Sequence, residues 1–208
     1  MKKITAAPFD PTELVIPPGV MSELLANAPA HFSICLALAG FAGPYPYEII
    51  ELKGTDIKLE SRVINMLPKV ASRYVQRIVP ISENLVEWLA REKYGDGPVW
   101  QFQTSSSGFL PGNLDDFARN LRKTITNVNI AREKAKVPPL LWKRNMLRRS
   151  YGYYRYAQCQ ELARVAVEMG TNPAGIMFRH FGPTAFAMAE AKAWFSLVPG
   201  GKAVNIAE

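Results

Sequence analysis

The sequence predicts one α+β domain, mainly helical, that carries a small three-stranded antiparallel sheet. Three observations lead there. Apolar residues recur at helical spacing over most of the chain, the period shifts to strand-like alternation only between Asp56 and Ile81, and the part after that is almost wholly helical again. At 208 residues and 48% hydrophobic content, the chain has ample material for one generous core.

The elements read in order. Residues 1–17, proline-rich, form an extended lead-in; 18–199 are the domain; 200–208 are a tail. Ser22 is expected to cap a short helix through Ala28. An apolar helix follows from Ala30 to Phe41 and is stopped by Gly43-Pro44-Tyr45-Pro46, after which Tyr47 to Leu52 add a turn or two of helix. Asp56–Glu60, Arg62–Met66 and Arg77–Ile81 alternate or run β-branched, which makes them a meander. Ser82 then caps a helix whose Leu85, Val86, Trp88 and Leu89 share one face. Residues 95–112, with Ser105-Ser106-Ser107-Gly108, read as a loop. A long helix from Asn113 to Lys136 buries a stripe of Leu114, Phe117, Leu121, Ile125 and Val128. Pro138-Pro139 stop it, and four more helices are expected over 145–158, 160–169, 173–181 and 183–197.

Composition removes several function classes. No apolar run approaches the ~18 residues of a spanning helix, and the basic start Met1-Lys2-Lys3 is not followed by the apolar segment of a secretory signal, so a soluble cytoplasmic protein is expected. The two cysteines, Cys35 and Cys159, sit in apolar helical contexts with no Cys or His at metal or redox spacing and read as buried free thiols. His31 and His180 are the only histidines, too few and too isolated for a metal site; no metal and no cofactor is expected.

The net charge of +7 is unevenly placed. Between Trp142 and Tyr156 stand Lys143, Arg144, Arg148, Arg149 and Arg155 with no acidic residue, interleaved with Tyr151, Tyr153, Tyr154 and Tyr156. Arginine forks bind phosphate oxygens and tyrosines add flat surfaces and hydroxyl donors, so this composition suits a nucleic-acid backbone as well as it suits a solvated helix face. Arg119, Arg122 and Lys123 on the long helix form a second cationic cluster with Arg132 and Lys134.

Four phrases, in order, carry a resemblance. Leu36-Ala-Leu-Ala-Gly-Phe-Ala followed by Glu48-Ile-Ile-Glu-Leu-Lys-Gly-Thr-Asp-Ile resembles "LxxxTGLRxxEhxxLxWxDh", where h is apolar. Arg77-Ile-Val-Pro-Ile-Ser-Glu-Asn-Leu resembles "RxVPhxxxL", Leu147-Arg-Arg-Ser-Tyr-Gly resembles "LRHSFA", and the stretch from Glu168 to Phe181 resembles "xLGHSSxxhTxxxY". These are phrases of the tyrosine-recombinase, or phage-integrase, catalytic domain. The same family shows this order of a helical pair, a three-stranded meander and a helical half.

The resemblance implies a chemistry. In that family a tyrosine attacks the scissile phosphate, two arginines and histidines bind its oxygens, and a hairpin lysine protonates the leaving oxygen; a crowded, highly charged phosphorane needs preorganised cations and a proton donor. This chain lacks most of these groups. Ala42 stands at the first arginine's place, Arg148 matches the second, and Arg144 or Asn145 replaces the histidine before it. Thr171 takes the later histidine position. For the hairpin lysine, Lys69 lies too far upstream, while Ser72 and Arg73 are better spaced. Phe181 stands where the tyrosine belongs, and no tyrosine follows Tyr156. Tyr153 and Tyr154 read as packing or phosphate-contact residues rather than substitute nucleophiles, and Arg148 has a structural alternative as a buried ion-pair partner.

The expectation is therefore a protein that binds duplex DNA through Arg144, Arg148, Arg149, Arg155, Arg119, Arg122 and Lys123 without cutting it. Two other readings stand beside it. One is a working recombinase with a divergent site or a nucleophile supplied by a partner subunit. The other is an oligomerising module whose last helix, with Phe186, Met188, Trp194, Phe195 and Leu197, docks on another copy or folds back on its own core.

Overall fold

Pro18 presets the backbone of a first helical turn and lacks only an N–H that a first turn leaves unbonded, so helix α1 (Pro18–Asn27) begins there, four residues before the expected Ser22. The computed structural model describes residues 14–67, 76–91, 95–103, 109–176 and 188–201. Ahead of α1, Leu14 and Ile16 are buried; the Ile16 N–H donates to Ser150 Oγ (2.8 Å) and its carbonyl accepts from Tyr154 (2.9 Å), which fastens this stretch to the domain.

Helix α2 (Ala30–Phe41) is apolar on every side, and Phe32 and the run Ile34–Phe41 are all buried, as an all-round apolar helix must be. It touches α1, α3 (Pro46–Glu51), α4 (Glu83–Leu89) and α6 (Met146–Cys159). Between α3 and α4 lies the three-stranded antiparallel sheet β1 (Ile57–Lys58), β2 (Val63–Met66) and β3 (Arg77–Pro80), in that order. Its register sets Ile57 and Val79 on either side of Ile64, one apolar row toward the core, while Ile78 faces outward. The first strand is shorter than expected because the Asp56 carboxylate accepts the Lys53 N–H (3.0 Å), closing a 3₁₀ turn over Gly54–Asp56.

The stretch 95–112 is not all loop. Strand β4 (Gln101–Gln103) pairs antiparallel with β5 (Phe109–Pro111), and three residues per strand are too few for a periodic signal. This hairpin carries Trp100 into the core against Phe32 and Phe117, with ring centroids 5.7 and 6.0 Å away. Gly112 makes room for it: a Cβ there would lie 2.3 Å from the indole.

Helix α5 (Leu114–Lys134) starts where the Asn113 side chain accepts the Asp116 N–H (3.0 Å). Of its expected stripe Phe117 and Val128 are buried, Leu121 and Ile125 half-buried, and Leu114 is 48% exposed at the mouth of a cleft. Helices α7 (Leu162–Met169), α8 (Pro173–Ile176) and α9 (Met188–Trp194) complete the order. The expected helices over 173–181 and 183–197 are described only in those two pieces; Phe186 lies outside the described residues. Within them the last helix folds back on the chain's own core. Trp194 is fully buried, stacks on Tyr154 at 4.7 Å and donates to the Gly40 carbonyl (2.9 Å), and Leu197 is buried with its carbonyl accepting from Trp88 (2.9 Å).

Both cysteines are free thiols; Cys35 is buried, with its pKa pushed up by that burial, whereas Cys159, at the last residue of α6, is only half-buried rather than buried as expected. Among the described residues no helix is long and apolar enough to cross a membrane, and no three acidic, histidine or cysteine side chains gather as metal ligands.

Candidate nucleic-acid interface

Asn145, in the left-handed conformation at φ 64°, turns the chain into α6, and no acidic residue occupies the helix's first turn. The buried face of α6 carries Leu147, Arg148, Tyr151 and Tyr154 together, so the best-matched arginine points inward. Arg148 is 3% exposed. Its Nη1 donates to the Gly43 carbonyl just past α2, its Nη2 to the Met169 carbonyl at the end of α7, and its Cζ stands 3.8 Å from the centre of the Tyr45 ring. The last carbonyls of a helix have no intrahelical donor, so the guanidinium satisfies the end of α7 at Met169 and ties it to the turn that follows α2 at Gly43. Burial pulls its pKa down, against the opposing charges of Tyr45 and Glu48. Arg148 is buried, as its alternative reading expected, but the direct partners of its guanidinium are two carbonyls and a ring rather than the carboxylate of an ion pair.

A second layer holds this arrangement. Glu48 is fully buried, accepts the Tyr45 N–H (2.8 Å) at the start of α3 and binds Arg77, with Nη2 to Oε2 at 2.9 Å and Nη1 to Oε1 at 2.8 Å. Arg77 in turn donates from Nε to the Glu168 carbonyl (3.0 Å). The Glu168 side chain is a hub: both Arg155 contacts are 2.9 Å, Tyr151 donates at 2.8 Å and Arg164 at 3.2 Å. Burial alone raises the Glu168 carboxyl, but the bonds and charge from Arg155, with those from Tyr151 and Arg164, outweigh it and leave the group below its ordinary range. The same pairing lifts Arg155 above its usual value, and burial with Glu168 pushes the Tyr151 phenol up.

Beside this interior lies a cleft of about 670 Å³ between α3, α5, the approach to α6 and the turn after α7. Tyr45, Tyr47, Phe117, Leu121, Trp142, Arg144, Asn145 and Thr171 are among its lining residues. Thr171 follows Gly170, whose φ of +63° ends α7 in a left-handed turn.

The sequence-predicted residues divide accordingly. Arg144 and Thr171 come together in the cleft; Ala42 is buried at the end of α2; Lys69, Ser72, Arg73, His180 and Phe181 lie outside the described residues. Of the seven expected DNA contacts, Arg144, Arg119, Arg122 and Lys123 are exposed. Arg122 sits one helical turn beyond the cleft-lining Ala118, whereas Arg119 and Lys123 are turned further round α5, and Arg119 pairs with Asp116 (2.7 Å). Arg148 and Arg155 are engaged inside the protein, and Arg149 is half-buried with its pKa lowered by burial. Tyr153 and Tyr154 are buried with their rings edge to face at 5.2 Å, and burial raises the Tyr154 phenol. His31 is exposed, 3.2 Å from Asn120 Oδ1.

The residue the sequence reading missed is Tyr45. The signal was present: in "RxxE" the arginine precedes the glutamate by three, and Tyr45 precedes Glu48 by three. The Gly43-Pro44 turn separates that position from the Gly40-Phe41-Ala42 match and hid it.

This assembly of helices around a three-stranded sheet is the fold of a tyrosine-recombinase catalytic domain. Among solved structures it is similar to the XerA recombinase, with a TM-score of 0.54 and 17% identity over 74% of this chain and 55% of that one. It is similar to the Tn1549 transposon integrase in complex with transposon right end DNA, at TM-score 0.63 and 14% identity over 92% of this chain and 67% of the other. The same integrase in complex with circular intermediate DNA gives 0.61 and 13%, over 92% and 66%. The chain thus spans little more than half of the XerA recombinase chain and about two thirds of the solved integrase segment, which itself is only part of that integrase. No family model matches the sequence, and no curated protein matches it.

Proposed function

We propose that this chain is a cytoplasmic DNA-binding protein on a recombinase scaffold that holds duplex DNA without cleaving it. Exposed cations at the rim of the cleft, Arg144 and Arg122 with Lys123 and Arg119 beyond them, contact the backbone phosphates; Arg148, Arg149 and Arg155 shape the surface from within. The observation that carries the reading is the state of Arg148. In a cleaving enzyme this arginine has to meet phosphate oxygens, and here one donor from each Nη goes to the carbonyls of Gly43 and Met169, and the ring of Tyr45 lies over the guanidinium. By its spacing to Glu48 and its place on Arg148, Tyr45 rather than Ala42 stands for the missing first arginine. Phe181 at the nucleophile's position lacks the oxygen that attacks phosphorus, and Thr171 has no proton to shuttle near neutral pH.

A nicked duplex that traps covalent intermediates tests this directly. The expected result is a noncovalent complex that denaturing gels dissolve completely. A covalent adduct, in the protein alone or mixed with a partner subunit, favours the working recombinase instead.

A further inference from the structure

We propose that the cleft is a nucleotide pocket that takes one unpaired base together with its phosphate, as at a gap or an extruded position in DNA. The inference rests on the DNA-binding reading and adds what kind of DNA is preferred.

A phosphate needs little room and many donors. This cleft offers the reverse: about 670 Å³, walled by the half-buried Trp142, the exposed Tyr47 ring that stacks on Tyr45 (5.3 Å) and the Leu121 side chain, with Arg144 as the one cation among its described lining residues. Its volume falls within the ~300–1,000 Å³ of small-molecule sites, and apolar walls with a few polar groups are their usual lining. Aromatic walls accept any base by stacking, and a single guanidinium at the edge accepts the phosphate that comes with it. Asn145 makes no side-chain cap bond to α6 although it stands at the cap position, and it lines the cleft beside Thr171. An amide and a hydroxyl supply the donors and acceptors that the edge of an unstacked base presents. Arg148 cannot serve as a second phosphate ligand there, because Tyr45 covers it. The site therefore suits a base first and a phosphate second.

The chemistry is shared by a free nucleotide and by an unpaired nucleotide within DNA, and the test separates them. Anisotropy titrations at one salt concentration compare an intact duplex, the same duplex with one unpaired 2-aminopurine opposite a gap, and deoxynucleoside monophosphates alone. The gapped duplex is expected to bind about tenfold tighter than the intact one, with quenching of the 2-aminopurine as it stacks. Trp142→Ala removes a wall and Ala118→Trp fills the cleft from an exposed position; both are expected to abolish the preference and the quenching while intact-duplex affinity stays within about twofold. Trp142→Phe, which keeps a ring, retains the preference, and circular dichroism confirms that each variant is folded. Monophosphates that bind and lose binding in Ala118→Trp, with no preference for gapped DNA, assign the pocket to a free nucleotide and overturn the DNA-borne form. Equal affinity for gapped and intact duplex with no quenching and no monophosphate binding overturns the pocket, yet leaves DNA binding standing. Absence of binding to both DNAs overturns the underlying reading itself.

Discussion

Tyr45 lays its ring on the guanidinium of Arg148, 3.8 Å from ring centre to Cζ, and through its own N–H it is tied to Glu48, the partner of Arg77. One aromatic side chain thereby seals the best-matched arginine of the scaffold and connects it to the buried ion pair beneath. A desolvated cation–aromatic contact of this kind contributes about 2 kcal/mol. Tyr45→Ala is expected to lower unfolding stability by that order, and Tyr45→Phe, which keeps the ring, by much less; urea denaturation of the two variants measures it.

The Glu48–Arg77 pair gives a second prediction. Both side chains are buried, so removing one partner leaves a charge without compensation, at a cost of about 3–5 kcal/mol, whereas replacing both with hydrocarbon of similar size is far milder. Arg77→Met alone is expected to unfold the domain at much lower denaturant than the double change Arg77→Met with Glu48→Met. Similar midpoints for the two would contradict the role given to the pair.

Acid sensitivity follows from Glu168. Its folded-state pKa lies below the unfolded value of about 4.3, so the stabilisation is complete above that value and is lost as pH falls through the folded pKa. Stability measured from pH 6 downward is expected to fall steeply below about pH 4. In Glu168→Gln the protein starts less stable and this part of the acid dependence disappears.

Gly43 has φ +71°, and a Cβ there would stand 2.3 Å from the Tyr151 ring. Gly43→Ala therefore combines backbone strain with a clash beside the carbonyl that Arg148 uses. A loss of about 1–3 kcal/mol is expected in thermal or chemical unfolding.

These four cases also mark what could be read from sequence. The helix α2 core, the α4 face with Leu85, Trp88 and Leu89, the start of α5 at Asn113 and the three sheet strands all follow from periodicity and capping, which are local. Long-range pairing is not local. Nothing near Arg155 announces that Glu168, thirteen residues on, takes two of its donors in a bidentate pair, so Arg155 looked like a phosphate contact. Arg148 raised the same difficulty, because carbonyls carry no residue-type signature and any helix end can offer them. Arg144 and Arg122 share with Arg148 and Arg155 the lack of an acidic neighbour at helical spacing, yet the first two are exposed and the last two engaged within the protein, a difference that only the tertiary packing decides.

The central claim is that exposed rim cations hold duplex DNA by its phosphates. Affinity for a fixed duplex, measured by anisotropy from low to high salt, tests it most directly. The account predicts a linear fall of log affinity with log salt, and a slope shallower by about one for each of Arg144→Ala and Arg122→Ala, with Arg155→Lys leaving the slope unchanged. Binding that is undetectable at low salt, or that is indifferent to salt and to both rim substitutions, contradicts it.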